Sequence, residues 1–190
     1  MTGDETAPSA RQVELLELAY RYALAHGLAD MSLRPLATVI GSSPRVLLYL
    51  FGSKDGLVRA LLSRARADEL ELLDRIPPGG GLRRTAELIW AWLAAVEHRA
   101  LLALWVEGYA QSVVDPDGPW SGFARATVAD WLAVLSSAQP YQERRTAGGR
   151  SQRTLVLAVL RGAMLDLLAT GDAARTTAAV HAQLRLIGGA

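Results

Sequence analysis

Residues Ser32 to Leu57 read SLRPLATVIGSSPRVLLYLFGSKDGL, and the order of serines, glycines and leucines here decides the fold. Ser32, Ser43 and Ser53 each precede an apolar run, where a hydroxyl can accept from the free N–H groups of a starting helix. Pro44 follows Ser43 at the first helical position, where its missing N–H costs little. Gly41 stands where the first of these helices must end in a left-handed residue. The spacing predicts two short helices joined by a glycine-bearing turn, then the start of a third. That is the helix-turn-helix arrangement, whose second helix can enter a DNA major groove.

Charge agrees with this reading. Between Met31 and Arg66 the bases are Arg34, Arg45, Lys54, Arg59, Arg64 and Arg66, and the one acid is Asp55. Six bases less one acid leave a net +5, in a chain whose whole formal charge is +1. A local basic face in a near-neutral protein suits a phosphate backbone. A solvated helical surface is the plain alternative, and the capped helix pair beside the charges favours DNA.

At these residues the chain resembles the DNA-binding region of the TetR family of bacterial transcription regulators. The matching residues are Leu36-Ala37, Gly41, Leu48-Tyr49, Phe51, Ser53-Lys54 and Leu57, preceded by an amphipathic segment with Gly27 and Leu33. The resemblance spans roughly residues 9 to 66. Two features depart from the commonest pattern. The stretch from Gly41 to Tyr49 is one residue longer, and Leu50 stands where a polar residue is frequent. The resemblance implies phosphate contacts from Tyr49 and Lys54. Lys54 also lies in the first turn of a helix, where N–H groups favour an anion. Arg45 and Val46 fall in the first turn of the recognition helix, within reach of guanine acceptors and a thymine methyl. Ser42, Ser43 and Arg34 are candidate backbone contacts, with Ser43 also a cap. Leu36, Ala37, Ile40, Leu48 and Phe51 are the expected local core.

The remaining sequence is read as helical. The chain has 190 residues, 51% of them hydrophobic, enough to build a substantial core. With no cysteine there are no disulfides or thiolate metal sites, and a reducing cytoplasm is the expected location. The first ten residues carry Asp4 and Glu5 and no apolar run, which argues against a signal peptide. The longest apolar run, Leu88 to Val96, is too short to span a bilayer, so no membrane partner is expected. No stretch alternates with the two-residue period of a half-buried strand. Ser9 and Gln12 form a capping-box pattern ahead of the first helix, which ends at Gly27. A fourth helix runs from Lys54 to about Arg75 with Leu57, Leu61, Leu62, Ala65 and Leu72 on its apolar side. The breaker Pro77-Pro78-Gly79-Gly80-Gly81 follows. Further helices are expected near 82–97, 98–114, 120–138, 150–170 and 173–187.

The expected architecture is therefore all-α, with about nine helices. A helix-turn-helix DNA-binding domain covers 1–53, a connecting helix 54–75, and a ligand-binding and dimerisation domain 76–190. The resemblance implies, by position, a homodimer built through the last two helices; the apolar stripe there, Leu155, Val156, Val159, Leu160, Ala163 and Leu167, can also be buried within a single chain. All five tryptophans lie beyond the breaker. The candidate lining of an apolar effector cavity is Trp90, Leu93, Trp105, Tyr109, Phe123, Trp131 and Met164. Glu107, Asp130 and Asp166 are candidates to orient a polar or cationic group.

No catalytic motif stands out. His26, His98 and His181 are far apart, and HExxH, GxSxG and phosphate-cradling loops are missing. The expected function is a sequence-specific repressor without enzyme activity, cofactor or metal. It would bind a double-stranded palindromic operator and leave it on binding a small-molecule effector, apolar or aromatic. The alternative is a DNA-binding regulator that answers to a protein partner instead.

Overall fold

The computed structural model describes residues 8–28, 31–76 and 80–187, without the Leu72 side chain. The expectations for the first residues, for Pro77 to Gly79 and for Leu72 lie outside the described residues. Those described form ten α-helices and a 3-10 turn, with no strand. In order they are α1 (Ala10–His26), α2 (Leu33–Val39), α3 (Pro44–Phe51), α4 (Lys54–Asp74) and α5 (Gly81–Leu93). The 3-10 turn Val96–His98 leads to α6 (Arg99–Val114), α7 (Phe123–Ala138), α8 (Tyr141–Arg144), α9 (Ala147–Thr170) and α10 (Ala173–Arg185).

The caps act unevenly. Ser43 Oγ accepts from the Val46 N–H at 3.3 Å, and Ser53 Oγ from the Gly56 N–H at 2.9 Å. Ser32 makes no side-chain cap. Ser9 caps α1, but Gln12 does not complete a capping box. Its amide donates instead to the Leu50 carbonyl at 3.1 Å, pinning α1 to the end of α3. Gly41 turns the chain between α2 and α3 at φ 64°, where a side chain would be strained. Gly56 has a different role: a Cβ there would lie 2.0 Å from the Phe51 carbonyl oxygen, so glycine lets α4 start hard against α3.

Leu36 and Ala37 of α2, Ile40 at its end and Leu47 of α3 are buried against Leu15 and Ala19 of α1 and Leu57 and Leu61 of α4. Leu48, expected in this core, is 42% exposed, and Leu47 takes its place. Phe51 is only half-buried. Polar bonds also clamp α1 to α4. Arg64 donates to Glu17 at 2.5 Å and to Asp68, and the Tyr20 hydroxyl donates to Asp68 at 2.8 Å. Burial, with Asp68 alongside, holds the Tyr20 phenol well above its ordinary pKa.

The second half of the chain wraps around α5, α6, α7 and α9. The helix expected to end at residue 97 stops at Leu93. His98 explains the break: its ring stacks on Trp92 at 3.9 Å between centroids, and its Nδ1 pairs with the Trp92 carbonyl at 2.9 Å. The last turn of α5 is thereby satisfied from outside the helix, and the chain bends by 69° into α6. Helix α9 starts at Ala147, because Thr146 Oγ1 accepts from the Gly149 N–H. Helix α7 starts at Phe123 rather than near 120, and the breaker before α9 contains the short α8. No single helix among the described residues is long and apolar enough to cross a membrane.

Candidate functional site

Helix α3 faces solvent along one side. Arg45 is exposed, Val46 is 38% exposed and Tyr49 is 85% exposed, while Leu47 anchors the opposite side. Lys54 is exposed at the start of α4, and Arg34 at the start of α2. An exposed tyrosine beside an arginine and a lysine, on the second helix of a helix-turn-helix, has the chemistry to meet phosphates and base edges.

Two expectations about this face change. The Ser42 hydroxyl turns inward, is buried and has no hydrogen-bond partner, so it offers no surface contact. The run of six bases does not form one patch. Arg64 is spent on Glu17 and Asp68, and Arg66 pairs with Asp130 of α7 at 2.8 Å. Arg34, Arg45, Lys54 and Arg59 remain exposed. Ion pairing inside the fold has removed the two bases farthest along α4.

A cavity lies between α4, α5, α6, α7 and α9. Its walls include Ala65 and Glu69 of α4, Trp92 and Leu93 of α5, Leu102 and Trp105 of α6, Trp131 of α7, and Leu157, Arg161 and Met164 of α9. The free space totals about 450 Å³ when its mouth is counted, but only about 20 Å³ of it admits the centre of a water molecule. In this conformation the side chains nearly close it, and a ligand of ordinary size must widen it.

Of the expected lining residues, Leu93, Trp105, Trp131 and Met164 come together here. Trp90 does not. It is 1% exposed, and its indole donates to Thr177 of α10 at 3.1 Å, so it holds α10 in place. Phe123 lies elsewhere too, against the α6 backbone at Gly108. Tyr109 stands behind the wall, stacked on Trp105 and bonded through its hydroxyl to Arg161.

The acids are redistributed as well. Both carboxylate oxygens of Glu107 accept from the Leu28 N–H, at 2.9 and 3.1 Å, tying α6 to the turn after α1. Asp130 holds Arg66, and Asp166 holds Arg175 at 2.6 Å. The acid that does face the cavity is Glu69, which is 4% exposed. One carboxyl oxygen accepts from the Trp131 indole, and Oε2 has no partner. Burial pushes the Glu69 carboxyl up to about 7, with Asp130 adding to the rise; the indoles of Trp131 and Trp105 and the charge of Arg66 pull the other way. No group of three or more candidate metal ligands occurs among the described residues.

No protein-family model matches the chain, and no curated protein matches it significantly. Solved structures do. A transcriptional regulator from Rhodococcus sp. RHA1 aligns over 93% of this chain and 95% of its own, at TM-score 0.78 and 19% identity. The multidrug binding protein EbrR, in complex with proflavin, aligns over 93% and 99% at TM-score 0.69 and 21% identity. A TetR transcription regulator from Haloarcula marismortui aligns over 92% and 95% at TM-score 0.67 and 17% identity. The protein has the fold of TetR-family transcription regulators.

Proposed function

We propose that the protein is a TetR-family transcription regulator: a homodimer that represses by holding a palindromic operator and leaves it when a small molecule enters the cavity. The observation that carries this reading is the pairing of an exposed α3 face, with Arg45, Val46 and Tyr49, to an α4 that also walls the cavity through Ala65 and Glu69. Arg45 reads a base, Val46 packs on a thymine methyl, and Tyr49, Lys54 and Arg34 hold phosphates. Ser43 caps α3 and can still donate its hydroxyl proton to a phosphate.

Two heads are needed, because one helix-turn-helix makes few base contacts and a dimer reaches two half-sites a helical turn apart. The outer side of α9 supports the dimer. Leu155, Ala158, Gly162, Leu165 and Ala169 are all exposed at helical spacing. Beside it α10 exposes Ala174, Ala178 and Ala182, with Leu186 exposed just past its end. Two such pairs make a four-helix interface, and nothing lies within 4 Å of where a Gly162 Cβ would stand, leaving room for a close partner helix. A DNA-bound role places the protein in the cytoplasm.

Release works through differential affinity. The ligand binds a wider cavity better than a closed one, and so favours whichever conformation has that cavity. Widening moves α4 at Glu69 and α6 at Trp105. These helices reach α1 through Arg64 and Glu107, so the spacing of the two α3 helices changes.

Footprinting on the DNA upstream of the gene, at two salt concentrations, tests this reading. A protected, roughly palindromic site whose affinity falls steeply with salt is expected. Salt-independent or undetectable binding there and in a random-sequence selection would refute it.

A further inference from the structure

Arg161 and Glu69 both line the cavity, and each carries buried polar atoms without a partner. Arg161 of α9 stacks its guanidinium on two rings, with Cζ 4.9 Å from the Tyr109 centroid and 5.7 Å from that of Trp105. Its Nη1 donates to the Tyr109 hydroxyl at 3.2 Å. Its Nε and Nη2 are buried and bond to nothing, and no ion pair among the described residues reaches the group. Nε and Nη2 form one edge of the guanidinium plane. That edge matches the two oxygens of a carboxylate, giving two parallel charge-assisted bonds. A buried charged edge without a partner is costly, and a ligand that satisfies it recovers that cost as affinity.

Resting on the effector reading above, we infer that the cavity takes a small aromatic or aliphatic carboxylic acid, its carboxylate seated on the Nε/Nη2 edge of Arg161 and its apolar body among Trp92, Trp105 and Trp131. Glu69 lines the same cavity. Its Oε2 and the nearby Trp105 Nε1 both lack a hydrogen-bond partner, while its other oxygen is taken by Trp131, so a hydroxyl or amide on the ligand could pair with either. A buried carboxylate among tryptophans also suits a cation, and the charges decide between the two. A guanidinium is a permanent cation. Glu69 carries one for much of the time near neutral pH. The site's own charge is therefore neutral to positive. A cation entering it would face Arg161, whereas an acid neutralises it.

Three probes sharing one skeleton test this by calorimetry on the full-length protein: hydrocinnamate, its amide and phenylpropylamine. Hydrocinnamate is expected to bind about tenfold or more tighter than either of the others. Arg161→Gln should erase that preference by weakening hydrocinnamate far more than the amide, and Arg161→Lys should restore part of it. Should Arg161→Gln fail to fold, the ranking of the three probes on the native protein still decides. Equal or tighter binding of the amide or the amine would overturn the acid and leave a ligand site standing. No heat with any of the three would overturn the acid and count against the effector site itself.

Discussion

Replacing Glu69 by glutamine should make the protein's stability less dependent on pH. Glu69 is 4% exposed, and its carboxyl titrates at about 7 instead of its ordinary 4.5, mainly because burial disfavours the charge. In the unfolded chain the group returns to the ordinary value. The folded state therefore holds the proton more tightly, and Glu69 contributes most below about pH 4.5. That contribution is lost as pH rises through about 7. At roughly 1.4 kcal/mol per tenfold change in proton affinity, the loss amounts to about 3 kcal/mol. For a chain of this length that is roughly 10 °C in Tm. The glutamine of E69Q can still accept from the Trp131 indole but carries no titrating proton, so the variant escapes the loss. The assay is thermal unfolding of native and E69Q protein at one concentration, from about pH 5 to about pH 8. Native Tm should fall relative to E69Q across that range. Parallel curves for the two proteins would refute the reasoning, since they would mean that Glu69 ionises as it does in water.

Arg45→Ala should relax sequence preference, costing roughly 1–3 kcal/mol on the preferred operator and little on variants at the contacted base; a uniform loss on every variant in anisotropy titrations would move Arg45 off the bases. Lys54→Ala should weaken all sequences alike and lower the slope of log affinity against log salt by about one per protomer. Leu165→Arg places a charge in the exposed α9 stripe, where Leu165 is 49% exposed in a single protomer. It should yield a folded monomer by light scattering, with operator affinity falling roughly tenfold or more; a dimer that persists would place the interface elsewhere.

Which helices form, and in what order, is written locally. Ser43, Pro44, Gly41 and Ser53 act within one turn of themselves, so their roles can be read before the fold is known. Which side of a helix faces inward is settled at longer range. Leu47 and Leu48 are adjacent leucines, and only packing against α1 and α4 decides that Leu47 is buried. Trp90 and Trp92 sit two apart on α5 and point different ways. One bonds to α10 and the other faces the cavity, a choice set by partners far along the chain. Glu69 did leave a signal. It falls on the apolar side of α4, in step with Leu62, Ala65 and Leu73, where an acid needs a reason. Arg161 likewise interrupts the apolar side of α9 between Leu157, Leu160 and Met164. Charges set into apolar stripes mark the cavity better than the tryptophans do, because aromatic rings fill ordinary cores equally well.

The two polar links to α1 suggest why a cavity so nearly closed suits a switch. Trp105 lines the cavity, and two residues later Glu107 holds the Leu28 N–H. Glu69 lines it too, and Asp68 beside it joins Arg64, Glu17 and Tyr20 in the clamp on α1. Each wall therefore faces the ligand at one residue and grips α1 at a neighbouring one. A side chain displaced in an open pocket would relax locally. Here interiors are dense, and the space left for water centres is about 20 Å³, so a ligand has to move whole helices. Moving α4 and α6 apart would pull α1 at two points, since Glu17 lies toward its middle and Leu28 just past its end. Helix α3 follows, because Gln12 ties α1 to the Leu50 carbonyl. If the proposed function holds, a tight cavity turns ligand volume into displacement of the α3 face, where a looser one would absorb it.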